Sequence, residues 1–385
     1  MTLPLGRAMR EVFGETVSTL ADTDPRIVML DADVGSSTRA DIFEHNHPDR
    51  YLQMGIAEQN MMGVAAGLAT VGLTPFVSTF VAFAVVRPLD QIRVLIAQTG
   101  LNVKITPGYA GIFTGLTGKT HLIVDDVSIM RAMPGMVTVC PADDVEAAQA
   151  LRWCASYSGP VYVRLVRDAT QRLFDDSYSF EFGRAVVARE GRDVTLISTG
   201  TQTPRVVDAA EILAAQGIEA HVLHVPTIKP IDVPAIVAAA DRTGIVVTVE
   251  EHTVLGGLGG AVAEVLSEHR PTLVKRLGMQ DVFGESASNA ALLELYGLSA
   301  ARVAERVGDL PRQVKGGGRS GLNSTRSAPP SAAGANLERP SAVAASFPRC
   351  ATRSAVPDGG SKHLHRAVQA RFHLLEEKQC RRPSC

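Results

Sequence analysis

MGIAEQNMMGVAAGLATVGLTPFVSTF, residues 54–80, sets a single carboxylate, Glu58, at the mouth of a run of Met, Gly and Ala. A charge beside small apolar residues costs desolvation free energy unless something uses it. Behind it, Met61 to Thr70 reads as a small-residue helix, Gly72 as a turn, and Pro75-Phe76-Val77-Ser78-Thr79-Phe80 as a strand.

Outward from this stretch the pattern repeats. Arg26-Ile27-Val28-Met29-Leu30 ends at Asp31-Ala32-Asp33, Val103-Lys104-Ile105-Thr106 at Pro107-Gly108, and Val137-Thr138-Val139-Cys140 at Pro141, while Val161-Tyr162-Val163-Arg164-Leu165 follows Gly159-Pro160. Short strands separated by longer helical segments predict βαβ units and a mostly parallel sheet, an α/β fold. Sites in such sheets gather at the carboxyl ends of strands, where Asp33, Phe80, Pro107 and Arg167 fall. A second α/β unit has strands at Asp193–Ser198, Glu219–Val225 and Gly244–Val249 and helices at Thr203–Gln216 and Gly260–His269. The expected division is a first domain over 1–175, a linker with an edge strand over 176–191, a second domain over 192–314 and a disordered basic tail over 315–385.

Composition narrows the function. With 45% apolar residues, 385 residues bury two or three cores, and 20% charged residues at a net −2 give no global pull toward nucleic acid or an anionic membrane. No 18-residue apolar run argues for a membrane span, and the start, MTLPLGRAMREVFGE, reads as the beginning of a domain rather than a signal peptide. Five cysteines without a CxxC pair suit the reducing cytoplasm and neither a disulfide framework nor zinc. From Lys315 onward there are 12 Lys+Arg against 4 Asp+Glu, in Gly/Ser/Ala/Pro-rich sequence that fits a nucleic-acid arm or an incidental extension. His45 and His47 lack a third ligand, so no metal held by this chain alone is expected. The turn GGLGG (256–260) after Glu250-Glu251-His252 is read as structural.

The run from Pro48 to Arg93, with G-I-A-E-Q-N, the small-residue helix and S-T-F, resembles the pyrimidine-binding domain of the transketolase family of thiamine diphosphate enzymes. The likeness continues through GLTGKTH (115–121), MPGMVTVCPADDVEA (133–147) and GPVYVRLVR (159–167), and from Asp193 to Leu310 the chain is similar to the family's C-terminal domain. The resemblance implies that Glu58 activates the cofactor by sharing a proton with its pyrimidine ring, in apolar surroundings that favour the neutral acid. At a helix start the same Glu could simply favour the dipole, for about 0.3–1 kcal/mol. Phe80 and Phe83 are implied to line the pyrimidine pocket, His121 to relay a proton near the substrate, and Arg7, Ser37 and Arg167 to bind the substrate phosphate. Arg164 is expected on the same face as Arg167 if the strand is regular. This chain departs from the family at Val86, where an aromatic is common, at Thr117 and Lys119 in the histidine loop, and at Tyr109, where a second histidine is usual. The last three touch sugar specificity.

The family grips the diphosphate and Mg²⁺ with Gly-Asp-Gly on a separate domain. Residues 1–314 contain none, and only Asp358-Gly359-Gly360 comes near. The resemblance therefore implies the C-terminal subunit of a split transketolase, active with an N-terminal subunit that holds most of the Mg²⁺ site, as a heterotetramer acting on sugar phosphates in pentose phosphate metabolism. A 1-deoxyxylulose-5-phosphate synthase-like enzyme, a 2-oxo acid dehydrogenase beta subunit and a non-catalytic scaffold subunit are the alternatives.

Overall fold

A computed structural model describes residues 3–308 and 310 of the chain; the expected tail, 315–385, lies outside them. The strands are β1 (Leu5–Ala8), β2 (Ile27–Asp31), β3 (Tyr51–Gln53), β4 (Thr74–Ser78), β5 (Lys104–Ile105), β6 (Val137–Val139), β7 (Val161–Val163), β8 (Ala169–Gln171), β9 (Val186–Arg189), β10 (Val194–Ser198), β11 (Ala220–His224), β12 (Thr227–Lys229), β13 (Ile245–Thr253) and β14 (Leu273–Met279). They form a seven-stranded sheet in the order β12-β6-β7-β5-β4-β2-β3, a five-stranded sheet in the order β14-β13-β10-β11-β9, and the antiparallel pair β1-β8. This is the α/β architecture that the apolar runs predict.

Every residue of β2 and β4 is buried, as expected of parallel strands covered on both faces. From β2 the chain crosses to β3 on one side, then returns to β4 on the other. The strand order thus reverses between β2 and β4, and their register pairs Asp31 with Ser78 at the carboxyl ends. A crevice opens at such a switch point, and the segments leading out of it are 32–38 and 79–83.

Three features go beyond what the sequence pattern predicts. Strand β12, in the second half of the chain, closes the first sheet antiparallel to β6, with Thr227 opposite Val139. Strand β13 runs on to Thr253, past the expected end at Val249. And β14, with two helices, Asn289–Leu295 and Ala300–Gly308, completes the second half. One apolar core packs around β2, β4 and β7 and includes Phe13, Phe43, Phe76 and Tyr162. A second, built on β10, β11 and β13, also takes in Ile112, Leu122 and Val124 from a loop of the first half.

Lys104 in β5 is fully buried, and its Nζ donates to the carbonyls of Tyr157 at 2.7 Å and Gly159 at 2.9 Å. Burial pushes its pKa down from 10.5 to about 8. Between those values the unfolded chain binds the extra proton, so stability rises with pH across that window and is lowest, for this group, below it. Lys104→Met is expected to remove the rise. Urea unfolding compared at about pH 7.5 and about pH 10 checks this, with the wild type gaining about 2 kcal/mol more than the variant.

Candidate active site

Glu58 is the first residue of the helix Glu58–Thr70, where the N-terminal dipole favours a negative charge. The chain reaches it through Gly55 at φ +67°, a left-handed turn that suits glycine. Gln53 braces that turn. Its Oε1 accepts from the backbone N–H of Gly55 (3.0 Å) and of Asp33 (2.9 Å), and its Nε2 donates to Asp31 Oδ2 (3.1 Å), tying the Glu58 loop to the end of β2. Glu58 is only 4% exposed. Its surroundings are not simply apolar, which corrects the sequence expectation: Arg87 Nη1 donates to Glu58 Oε1 at 2.6 Å and forms an ion pair with it.

The same guanidinium lies over Phe83, 3.9 Å from the ring centroid. Phe83 stacks on Phe80 at 5.7 Å, and the edge of His121 meets Phe83 at 5.2 Å and a 69° tilt. Phe80 in turn stacks on Tyr109 at 3.9 Å. Backbone bonds fix this pairing: Gly108 N donates to Thr79 O and Val81 N to Gly108 O, so segment 107–109 zips onto the end of β4. Glu58, Phe80, Phe83 and His121, drawn from separate stretches of sequence, therefore form one cluster at the switch point. The Thr120 hydroxyl meets His121 Nδ1 at 2.8 Å, so Nε2 is the other ring nitrogen of His121.

Tyr109, at the position where the family usually has its second histidine, holds a left-handed φ of +68°, a conformation costly for a bulky side chain. Its hydroxyl accepts from Arg167 Nε at 3.1 Å and donates to the Ser37 carbonyl at 3.3 Å, and Arg10 Nη1 also reaches that carbonyl at 3.3 Å. Arg167 further pairs with Asp168 at 2.6 Å. Of the three residues implied for an anion, the structure thus brings Ser37 and Arg167 together. Arg7 lies in β1 and pairs with Glu15 at 2.7 Å; the arginine beside Ser37 is Arg10, in the following helix. The motif G-R-A-M-R contains both, and the strand-to-helix switch after Ala8 decides between them.

Arg164 does not join Arg167. Three residues apart, the two point to opposite faces of an extended chain. Arg164 is buried against Asp126, with Nε to Oδ2 at 2.7 Å and Nη2 to Oδ1 at 3.2 Å. Burial alone would raise the Asp126 carboxyl, but the Arg164 charge and the Tyr162 hydroxyl hold it below the usual range. Thr117 turns its hydroxyl back onto the Thr114 carbonyl at 2.7 Å, and Lys119 pairs with Glu285 at 2.7 Å.

The loop carrying Thr117 and His121 hangs from the second half of the chain. Glu251 Oε1 accepts from Ile112 N at 2.9 Å, while Asn289 accepts from Gly115 N and donates to the Phe113 carbonyl, both at 3.0 Å. Elsewhere in that half the glycine turn is structural, as expected: Glu250 accepts from the N–H groups of Leu258 (2.7 Å) and Gly259 (2.8 Å), so the protein's own carboxylate fills the helix start. His47 is held by Ser18 and Arg50. Among the described residues, Cys140 and Cys154 are free and buried, and burial pushes their thiols up to about 12 and about 11.

Similarity to known proteins agrees with this geometry. The family model for the transketolase pyrimidine-binding domain matches residues 6–172, and that for the transketolase C-terminal domain matches residues 183–303. The chain is 42% identical over 295 residues to the 6-deoxy-6-sulfo-D-fructose transketolase subunit of Clostridium sp. (strain MSTE9), covering 77% of this chain and 92% of that one. It is 36% identical over 292 residues to an apulose-4-phosphate transketolase subunit of Phocaeicola vulgatus, covering 76% and 93%. A solved split-gene transketolase, an inactive beta4 tetramer, matches with a TM-score of 0.73 and 44% identity over 80% of this chain and 99% of its own. The chain belongs to the transketolase family, as a subunit of the split type with pyrimidine-binding and C-terminal domains.

Proposed function

We propose that the chain is the pyrimidine-side subunit of a thiamine diphosphate-dependent transketolase that moves a two-carbon ketol unit from a ketose to an aldose, both bearing an anionic group. The observation that carries this reading is the joining of Glu58, Phe83, Phe80 and His121 in one cluster at the switch point. The residues fit the cofactor's pyrimidine half: Glu58 and the face of Phe83 already flank one planar, N–H-bearing group, the Arg87 guanidinium, and an aminopyrimidine is a group of that kind.

Bound thiamine diphosphate supplies the carbon nucleophile that takes up the ketol unit. The chain's own groups do the rest. Glu58 holds a proton at a pyrimidine ring nitrogen, Phe80 and Phe83 bury the ring, and His121 Nε2 moves protons to and from the sugar oxygen. Arg167 and Arg10, gathered near the Ser37 carbonyl, attract the anionic end of the sugar. Phosphate and sulfonate are both candidates for that end, since the two relatives act on a sugar phosphate and a sulfosugar by name.

A separate N-terminal subunit would hold the diphosphate and most of the Mg²⁺ site, giving a heterotetramer. The test is co-expression with such a subunit and assay across ketose and aldose phosphates and sulfonates. The pair is expected to transfer ketol units and the chain alone to be inactive; full turnover by the single chain refutes the shared site.

A further inference from the structure

Arg87 makes two contacts with one planar group. Its Nη1 hydrogen-bonds the buried carboxylate of Glu58 at 2.6 Å, and its guanidinium carbon sits 3.9 Å from the Phe83 centroid. These are the two contacts, carboxylate edge and aromatic face, that the pyrimidine half of the cofactor needs under the function proposed above, on which this inference rests. Both cannot be made at once by two different groups.

The placement is built rather than incidental. Gln59, next to Glu58 in the same helix, donates from Nε2 to the Arg87 carbonyl at 3.2 Å, so the arginine's backbone is tethered to the helix that carries its partner. Glu58 is 4% exposed, whereas the Arg87 side chain is 44% exposed. An ion pair with one half-solvated member is weak enough to exchange, and a guanidinium stacks on an aromatic face much as a flat heterocycle does.

We propose that Arg87 is an internal stand-in for the cofactor's aminopyrimidine. In the cofactor-free chain it neutralises Glu58 and covers Phe83, and it withdraws to solvent when thiamine diphosphate binds. The device keeps a buried carboxylate partnered before loading and lowers the cofactor's apparent affinity by the fraction of chains in the closed arrangement.

Calorimetric titration of the full chain with thiamine diphosphate tests this with wild type, Arg87→Ala and Glu58→Gln, each checked by thermal melting. Arg87→Ala is expected to bind about tenfold tighter than wild type, as for a closed fraction of about nine in ten. In the wild type, phenylglyoxal modification of Arg87, read by peptide mass spectrometry, is expected to speed up when the cofactor is added. Binding by Arg87→Ala no tighter than wild type, including no detectable binding by either, overturns the stand-in, and so does an Arg87 that the cofactor leaves unchanged or protects. The cofactor reading is judged separately: it stands if Glu58→Gln weakens binding and falls if that variant binds as wild type does.

Discussion

Glu58→Gln is expected to lower ketol transfer by the reconstituted enzyme about 10²–10⁴-fold, the usual contribution of a positioned proton-transfer group. Folding should barely change. Gln keeps the shape of Glu and can still accept from Arg87 Nη1, while losing the charge that favours the helix N-terminus. The Arg87 side chain is 44% exposed, so the lost ion pair is worth only about 0.2–1 kcal/mol after screening by solvent. What Gln lacks is an exchangeable carboxyl proton. Steady-state kinetics and a thermal melt on the same preparation separate the two roles. A variant with near-normal turnover rules out activation by Glu58, and one that melts far below the wild type makes Glu58 a structural residue first.

The Glu58 motif was legible because it is local. A left-handed glycine at 55, a helix start at Glu58 and a strand ending at Ser78 leave their mark within a few residues of the chemistry. The same holds for Phe80 and His121, which follow a strand end and a glycine-rich loop. Residues that act across the fold left no such mark. Arg87 meets Glu58 over 29 residues of sequence, from the end of the short helix Val81–Val86, which is too short to have a period to read. Arg10 displaces Arg7 at the Ser37 carbonyl because a strand gives way to a helix between them. Strand β12 is three residues long and pairs with β6 from the other half of the chain, so neither its length nor its pattern announces it.

The largest structural effect is expected from Glu251, which the sequence shows only as one of two acids before a histidine. It is 2% exposed and serves both halves of the chain. Oε1 accepts from Ile112 N at 2.9 Å, a contact spanning 139 residues, and Oε2 pairs with Arg205 Nη1 at 3.0 Å. Arg205 is itself nearly buried and lies 4.3 Å over the Phe113 ring; burial lowers its pKa below the usual guanidinium range, and the Glu251 charge and hydrogen bond oppose that shift. Glu251→Ala leaves that cation without its carboxylate and the Ile112 N–H without an acceptor. Breaking a buried pair from one side costs about 3–5 kcal/mol, or on the order of 5–10 °C in melting temperature for a chain of this size. Glu251→Gln, which retains an acceptor for Ile112 while removing the charge, should recover part of the loss. Because segment 111–121 carries Thr117 and His121, residual activity should fall more in the Ala variant than in the Gln variant, even below both melting points. Equal activity in the two variants would show that the loop does not depend on this acceptor; an unchanged melt in Glu251→Ala would show that Arg205 finds another partner.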